Sequence, residues 1–186
     1  MTRVYRYDDK KRLVATELRN PDGSLAERRT FSYDAAGHVD REEFRPSGGT
    51  LHSYTTFRYD SAGRAIEERE VRADGTVDRV ISTAYDTSTG RRAKVTRKDG
   101  AGRIQNWTVF RYDPKTRTEE AIEYDASGKK TGDNETYRYD AKGRLIHYSE
   151  AIQSVDHTYD ADGNLLRSVD TGGEGDETRY FYDCWE

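Results

Sequence analysis

Cysteine occurs once in the 186 residues, which excludes an internal disulfide framework. No apolar run approaches the roughly 18 residues that cross a bilayer as a helix. The opening Met1-Thr2-Arg3-Val4-Tyr5-Arg6-Tyr7 has no apolar signal core. The expectation is therefore no membrane insertion, and either a cytoplasmic address or export by a dedicated secretion system. Leu, Ile, Val and Phe together supply only 28 residues, below the roughly 20% that warns of disorder. A basic excess is also missing: 31 Lys and Arg stand against 35 Asp and Glu, a net charge of −4. Nothing of that sign drives binding to nucleic acid. Tyrosine is what the chain has instead. Its 14 Tyr and 2 Trp supply amphipathic bulk that a disordered chain lacks.

Those tyrosines are metered. The dipeptide Tyr-Asp falls at Tyr7, Tyr33, Tyr59, Tyr85, Tyr112, Tyr139, Tyr159 and Tyr182, with spacings of 26, 26, 26, 27, 27, 20 and 23, and a ninth copy, Tyr124-Asp125, sits off this register. A fixed period of this size marks a repeat architecture. Four of the dipeptides open a five-residue stretch that closes on Gly37, Gly63, Gly143 or Gly163. Asp accepts hydrogen bonds from amides two residues on, and Gly takes the positive-φ place. At Tyr7 a lysine, Lys11, stands in the glycine place, and after Tyr112 the turn uses Pro114; both turns should be less well formed. A second glycine recurs halfway through each unit, at Gly23, Gly49, Gly75, Gly102 and Gly128, and Pro21-Asp22-Gly23, Ala73-Asp74-Gly75 and Lys98-Asp99-Gly100 read as hairpin turns.

Each unit is thus strand, turn, strand, turn, with about nine residues per strand. Apolar residues nowhere recur at helical spacing. The predicted fold is all-β: an antiparallel meander of roughly 14–16 strands built from 26-residue hairpin repeats, open or curled, forming one domain over 1–186. Repeats are regular over 1–139 and shorter over 140–186, with short strands or an irregular turn near Gln153-Ser154 and Gly172-Gly173. A second ring stands two residues before most of the tyrosines, at Tyr5, Phe31, Phe57, Phe110, Tyr137 and Tyr180. That spacing puts both rings on one sheet face. The stripe should stack as a cross-strand ladder, and it is the candidate binding surface for a protein or, alternatively, a sugar.

The signature Tyr-Asp-x-x-Gly-Arg, as in Tyr59-Asp60-Ser61-Ala62-Gly63-Arg64 and Tyr139-Asp140-Ala141-Lys142-Gly143-Arg144, resembles the YD repeat of Rhs proteins. The resemblance covers nearly the whole chain. It implies long β-sheets that form shells around toxin domains or serve in cell-contact proteins such as teneurins. It therefore implies a protein partner, either a toxin domain or a surface protein. The family's terminal self-cleavage motif, Asp-Pro-x-Gly, is absent: Asp113-Pro114 is followed by Lys115-Thr116.

Catalytic and metal constellations do not emerge. His38, His52, His147 and His157 lie in different repeat phases, and no pair has ligand spacing. Asp160-Ala161-Asp162-Gly163-Asn164 imitates the start of a calcium loop but lacks the glycine and glutamate that an EF-hand requires at its sixth and twelfth places. Cys184-Trp185 reads as an end cap. The repeated Tyr-Asp carboxylates read as turn formers, and Arg12, Arg64, Arg91 and Arg144 as cross-strand partners of glutamates. The expectation is a scaffold that is not an enzyme, needs no cofactor or metal, and mediates protein–protein interaction in an Rhs-type toxin or cell-contact system. A carbohydrate-binding module and an immunity- or antitoxin-like protein are the alternatives.

Overall fold

The computed structural model describes residues 1–171 and 176–180. Tyr182, Gly172-Gly173 and Cys184-Trp185 lie outside the described residues. Every regular element among those described is a strand: β1 (Thr2–Tyr7), β2 (Leu13–Arg19), β3 (Leu25–Tyr33), β4 (Val39–Pro46), β5 (Ser53–Tyr59), β6 (Ala65–Arg72), β7 (Val77–Tyr85), β8 (Arg92–Asp99), β9 (Ile104–Asp113), β10 (Thr118–Asp125), β11 (Lys130–Tyr139), β12 (Leu145–Glu150), β13 (Gln153–Tyr159), β14 (Leu165–Asp170) and β15 (Glu177–Arg179). They form one sheet in sequence order, β1 to β15. β1 and β15 each have a single strand neighbour among the described residues, so the ladder is not closed into a barrel. Two compact units are distinguished, one of 1–85 with 95–105 and one of 86–94 with 106–186.

In the first unit the Tyr-Asp turns share one hydrogen-bond pattern. The amide of Asp8 donates to the carbonyl of Arg12 (2.9 Å), that of Asp34 to His38 (2.8 Å) and that of Asp60 to Arg64 (3.0 Å). The residue before each acceptor turns back to the Asp carbonyl at 2.9–3.1 Å and has positive φ: 62° at Lys11, 91° at Gly37 and 75° at Gly63. This is a three-residue hairpin loop, a type I turn followed by a left-handed residue. Lys11 therefore closes the same turn as the glycines, contrary to the expectation of a poorer one. The hydrogen bonds hold it there at the cost of a left-handed lysine. Just beyond each turn the pairing slips by one residue: Tyr7 faces Leu13, Tyr33 faces Val39 and Tyr59 faces Ala65, while the residues before those tyrosines face Ala15, Arg41 and Glu67. Val14, Asp40 and Ile66 are the extra residues of these recurrent bulges.

The second unit repeats the pattern at Asp140 and Asp160, with Gly143 and Gly163 at positive φ. The turn after Tyr112 is one residue longer, since Asp113 faces Thr118. Pro114 sits inside it, and Arg117 takes the positive-φ place at 55°. β12 and β14 shorten to six residues each. Gln153-Ser154 is not an irregular turn: it opens β13, because Glu150 pairs directly with Gln153.

Apolar burial is slight. Ala15, Val71 and Val95 are the buried hydrophobics of the first unit, and Ala121 and Ile122 those of the second. Two carboxylates, Glu17 and Glu119, are as buried as these. Cohesion must come from contacts along the sheet, repeat to repeat.

Lys98-Asp99-Gly100 is a turn as expected, but its left-handed closing residue is Gly102 (φ 80°). Gly100 has another role. A Cβ there would lie 1.7 Å from the carbonyl oxygen of Val77. Gly100→Ala should cost roughly 2 kcal/mol or more through forced backbone displacement. Lys11→Gly should stabilise by about 0.5–1 kcal/mol by relieving a left-handed side chain. Urea midpoints of the two variants check both signs.

Candidate functional site

The tyrosines of four Tyr-Asp motifs reach back to the preceding hairpin. In the first unit the hydroxyl of Tyr33 donates to the Leu13 carbonyl at 2.7 Å, Tyr59 to Val39 at 2.8 Å and Tyr85 to Ala65 at 3.0 Å. In the second unit Tyr159 donates to Leu145 at 2.8 Å. The acceptor is always the residue following the motif's arginine or histidine. That side chain covers the same ring: Arg12 lies 4.5 Å from the centroid of Tyr33, Arg64 4.4 Å from Tyr85 and Arg144 4.7 Å from Tyr159. His38 stacks on Tyr59 at 4.5 Å. A guanidinium over a ring is attracted by the ring's quadrupole.

The aspartate aims the cation. Nε of Arg12, Arg64 and Arg144 donates to the Oδ2 of Asp8, Asp60 and Asp140 at 2.8, 2.8 and 2.7 Å. The other oxygen, Oδ1, accepts turn amides: from Arg12 at 2.8 Å, Arg64 at 3.0 Å and Arg144 at 2.9 Å. One carboxylate thus closes the turn and orients the arginine. Its pKa falls below the ordinary carboxylate range, at Asp8 and Asp140 chiefly through the backbone amides of Arg12 and Arg144, and at Asp60 chiefly through the Arg64 side chain. Arg12, Arg64 and Arg144 are therefore each tied to their own turn aspartate, a partner the cross-strand expectation did not include. The tight turn brings positions i and i+4 side by side, closer than a neighbouring strand's glutamate. Arg91 follows the longer turn and behaves differently. It lies 3.6 Å from the centroid of Tyr112 and 3.6 Å from the Glu119 carboxylate, while Asp86 is satisfied by Ser88 and Thr89. At Tyr139 the relay weakens. Thr118 occupies the place of the arginine, and the Arg91 guanidinium stands 5.9 Å from the ring centroid.

The second set of rings divides into two groups. Phe31, Phe57, Phe110 and Tyr137 are half-buried, whereas Tyr5 and Tyr180 are exposed. They do not form a ring-on-ring ladder. Phe31 faces Glu42, Phe57 faces Glu68 and Phe110 faces Ala121; only Tyr137 faces a ring, Tyr148, at 5.1 Å. The stripe residues lie on alternate strands, about 10 Å apart, too far to stack. A cation fills part of the gap: Arg92 lies 4.4 Å from the Phe110 centroid. Burial raises the pKa of the Tyr137 hydroxyl, reinforced by its hydrogen bond to Glu135, and burial pushes Tyr148 up to about 12. Sequence reasoning missed two other clusters. Trp107 stacks on Tyr124 at 5.6 Å under Lys94. Arg41 lies 3.7 Å from the Tyr54 centroid. Both join residues of adjacent strands, a pairing that only the register reveals.

A concavity of about 740 Å³ opens in the first unit, lined in part by Phe44, His52, Glu42, Glu70 and Asp78. Three of its acids are ion-paired, Glu42 to Arg29 (2.6 Å), Glu70 to Arg79 (3.0 Å) and Asp78 to Arg72 (2.5 Å), and the fourth, Asp74, accepts the Thr76 amide at 2.8 Å. No group of three or more His, Cys, Asp or Glu able to hold a metal ion is found among the described residues.

Fold and relay together define a β-repeat scaffold whose units are Tyr-Asp hairpins. The teneurin YD-shell family model matches residues 1–186, and the chain belongs to that family. Among solved structures, the crystal structure of TcdB2–TccC3 matches with a TM-score of 0.51 and 16% identity, over 95% of this chain and 10% of that one. A porin-like protein from Bacteroides uniformis ATCC 8492 matches with a TM-score of 0.58 and 14% identity, over 95% and 84% of the two chains. At these identities the likeness is one of fold alone. This chain spans about a tenth of the TcdB2–TccC3 chain it matches. No curated protein matches the sequence.

Acid should loosen the scaffold. Glu17, clamped by Arg6 at 3.1 Å and Arg19 at 2.6 Å, has its pKa lowered to about 2, first by the Arg6 hydrogen bond and then by that of Arg19. Asp86 is lowered to about 2 by Ser88 and then Thr89. A depressed folded-state pKa means that the unfolded chain binds more protons, so the contribution is complete above about pH 4.5 and is lost as pH falls towards 2. Urea midpoints measured from pH 7 to pH 2 should be flat down to about 5 and then drop. Glu17→Gln should blunt the drop.

Proposed function

We propose that the chain is a non-catalytic length of shell wall whose sheet presents a face to a protein partner in an Rhs-type toxin or cell-contact system. One observation carries the reading: in the pairs Asp8–Arg12, Asp60–Arg64 and Asp140–Arg144 the turn aspartate and its arginine are spent on each other and on the next tyrosine. Such groups are oriented for cohesion and are not poised for proton transfer, which needs a titrating group in reach of a substrate. The teneurin YD-shell membership and the likeness to TcdB2–TccC3 support the setting. The half-buried rings of Phe31 and Phe57, each flanked by a carboxylate, suit an interface in which aromatic anchors sit among polar neighbours.

Co-expression with the products of neighbouring genes, followed by size-exclusion chromatography with light scattering, tests this. The expected result is a stoichiometric complex with at least one of them, weakened about tenfold or more by Phe31→Ser with Phe57→Ser. Circular dichroism establishes that the variant still folds. Absence of any complex, together with saturable binding on a glycan array, would reverse the reading in favour of a carbohydrate-binding module.

A further inference from the structure

Phe31 and Phe57 occupy one face of β1–β6, and alternation along the strands puts a band of arginines on the other. There Glu17 faces Arg28, which faces Arg45. Arg41 faces Thr56, which faces Arg69, and Arg58 faces Glu67. Each glutamate of this face lies between two guanidinium groups. Glu17 has Arg6 at 3.1 Å and Arg19 at 2.6 Å. Glu43 has Arg41 at 2.9 Å and Arg45 at 2.6 Å. Glu67 has Arg58 at 3.9 Å and Arg69 at 3.5 Å. Asp40, at its bulge, accepts the Ser32 hydroxyl at 2.6 Å. Seven arginines therefore stand against four acids on these strands, in a chain whose net charge is −4. The surplus is open to water: the Arg6 side chain is 54% exposed and that of Arg58 70%. Arg28 is exposed too, and its side chain has no hydrogen bond, ion pair or ring contact among the described residues. It directly opposes Arg45, and like charges so placed across a strand pair destabilise a sheet.

We infer that this arginine face takes an extended, acid-rich segment of a protein partner, with a carboxylate seated between Arg28 and Arg45. A guanidinium fork matches a carboxylate with two parallel hydrogen bonds. One acid placed there serves a guanidinium that has no partner and screens the repulsion across the strand pair. The band runs diagonally. Glu17 on β2 and Glu67 on β6 are four strand spacings apart, and the register offsets them by six residues along the strands. That is roughly 28 Å, the length of eight or nine extended residues. A nucleic acid fits less well, because its charges follow one another every few ångströms and would meet the interleaved glutamates as often as the arginines. A polypeptide can set its acids over the surplus guanidiniums and neutral residues over Glu17, Glu43 and Glu67. Complementarity of this kind governs encounter and choice of partner. The inference goes beyond the proposed function: it adds a second surface, on the side of the sheet away from Phe31 and Phe57, and names the chemistry that surface recognises.

The probe is a fluorescein-labelled peptide of alternating Glu and Ser, about ten residues long, whose acids share one side when extended. It is titrated with the full chain and followed by anisotropy. Saturable binding is expected, fading as NaCl rises from about 50 to about 300 mM. Arg28→Ser with Arg45→Ser should weaken it about fivefold or more. Arg3→Ser with Arg79→Ser removes the same charge from the face of Phe31 and Phe57 and should leave it nearly unchanged, as should Phe31→Ser with Phe57→Ser. Arg28→Ser alone should not lower the urea midpoint, since it relieves Arg45. Absent binding, or equal weakening by the two arginine pairs, would overturn the inference. So would a midpoint that falls in Arg28→Ser while the peptide still binds, which would make Arg28 a structural tie of Glu17. Tighter binding of duplex DNA or a sulfated oligosaccharide of equal charge through Arg28 and Arg45 would overturn the choice of a protein segment.

Discussion

The structure depends on a guanidinium held between its own turn aspartate and the tyrosine of the next repeat. The aspartate faces a desolvation cost that the turn amides and the arginine more than offset, as its lowered pKa records. The arginine, immobilised by that carboxylate, covers a ring that would otherwise stand in water. The tyrosine then uses its hydroxyl to lock the strand that carries the arginine. Each contact alone is worth little, because a partly exposed ion pair contributes about 0–1 kcal/mol. Repetition along the chain turns a weak contact into cohesion. A sheet with so few buried aliphatic side chains needs such a device.

The same arrangement bears on function. A carboxylate available for acid–base chemistry needs a free lone pair or a proton near neutral pH. Here the carboxylates of Asp8, Asp60 and Asp140 have both oxygens engaged and pKa values moved away from neutrality. The buried acids follow suit. Glu17 sits between Arg6 and Arg19, and Glu119 within 4.0 Å of Arg91 and Arg92. The repeats spend their polar chemistry on cohesion, which is what membership of a shell-forming family asks of them.

Much of the fold was legible from spacing alone. Tyr-Asp and glycine have strong local preferences, and a regular period leaves one economical topology, the meander. Three features were not legible. Arg12, Arg64 and Arg144 looked like partners for glutamate because cross-strand pairing is the general rule; the i,i+4 closeness within a three-residue hairpin loop overrides it. The aromatic stripe was expected to stack ring on ring, but sequence phase says which face a ring occupies and not that the intervening strand keeps it two spacings from the next. Lys11 and Arg117 adopt positive φ without glycine, because the turn's hydrogen bonds outweigh a local preference of about 1–2 kcal/mol. As for the candidate site, residue type marked the rings. Their partners depended on the bulges at Val14, Asp40 and Ile66, which no motif announces.

A double-mutant cycle on Arg64 and Tyr85 tests the central claim most directly. The stabilities of Arg64→Ala, Tyr85→Leu and the double variant are measured by urea unfolding. The relay predicts that the two losses overlap, with a coupling of about 1 kcal/mol. Losses that simply add, to within about 0.3 kcal/mol, would show that arginine and tyrosine stabilise the sheet independently and would contradict the account.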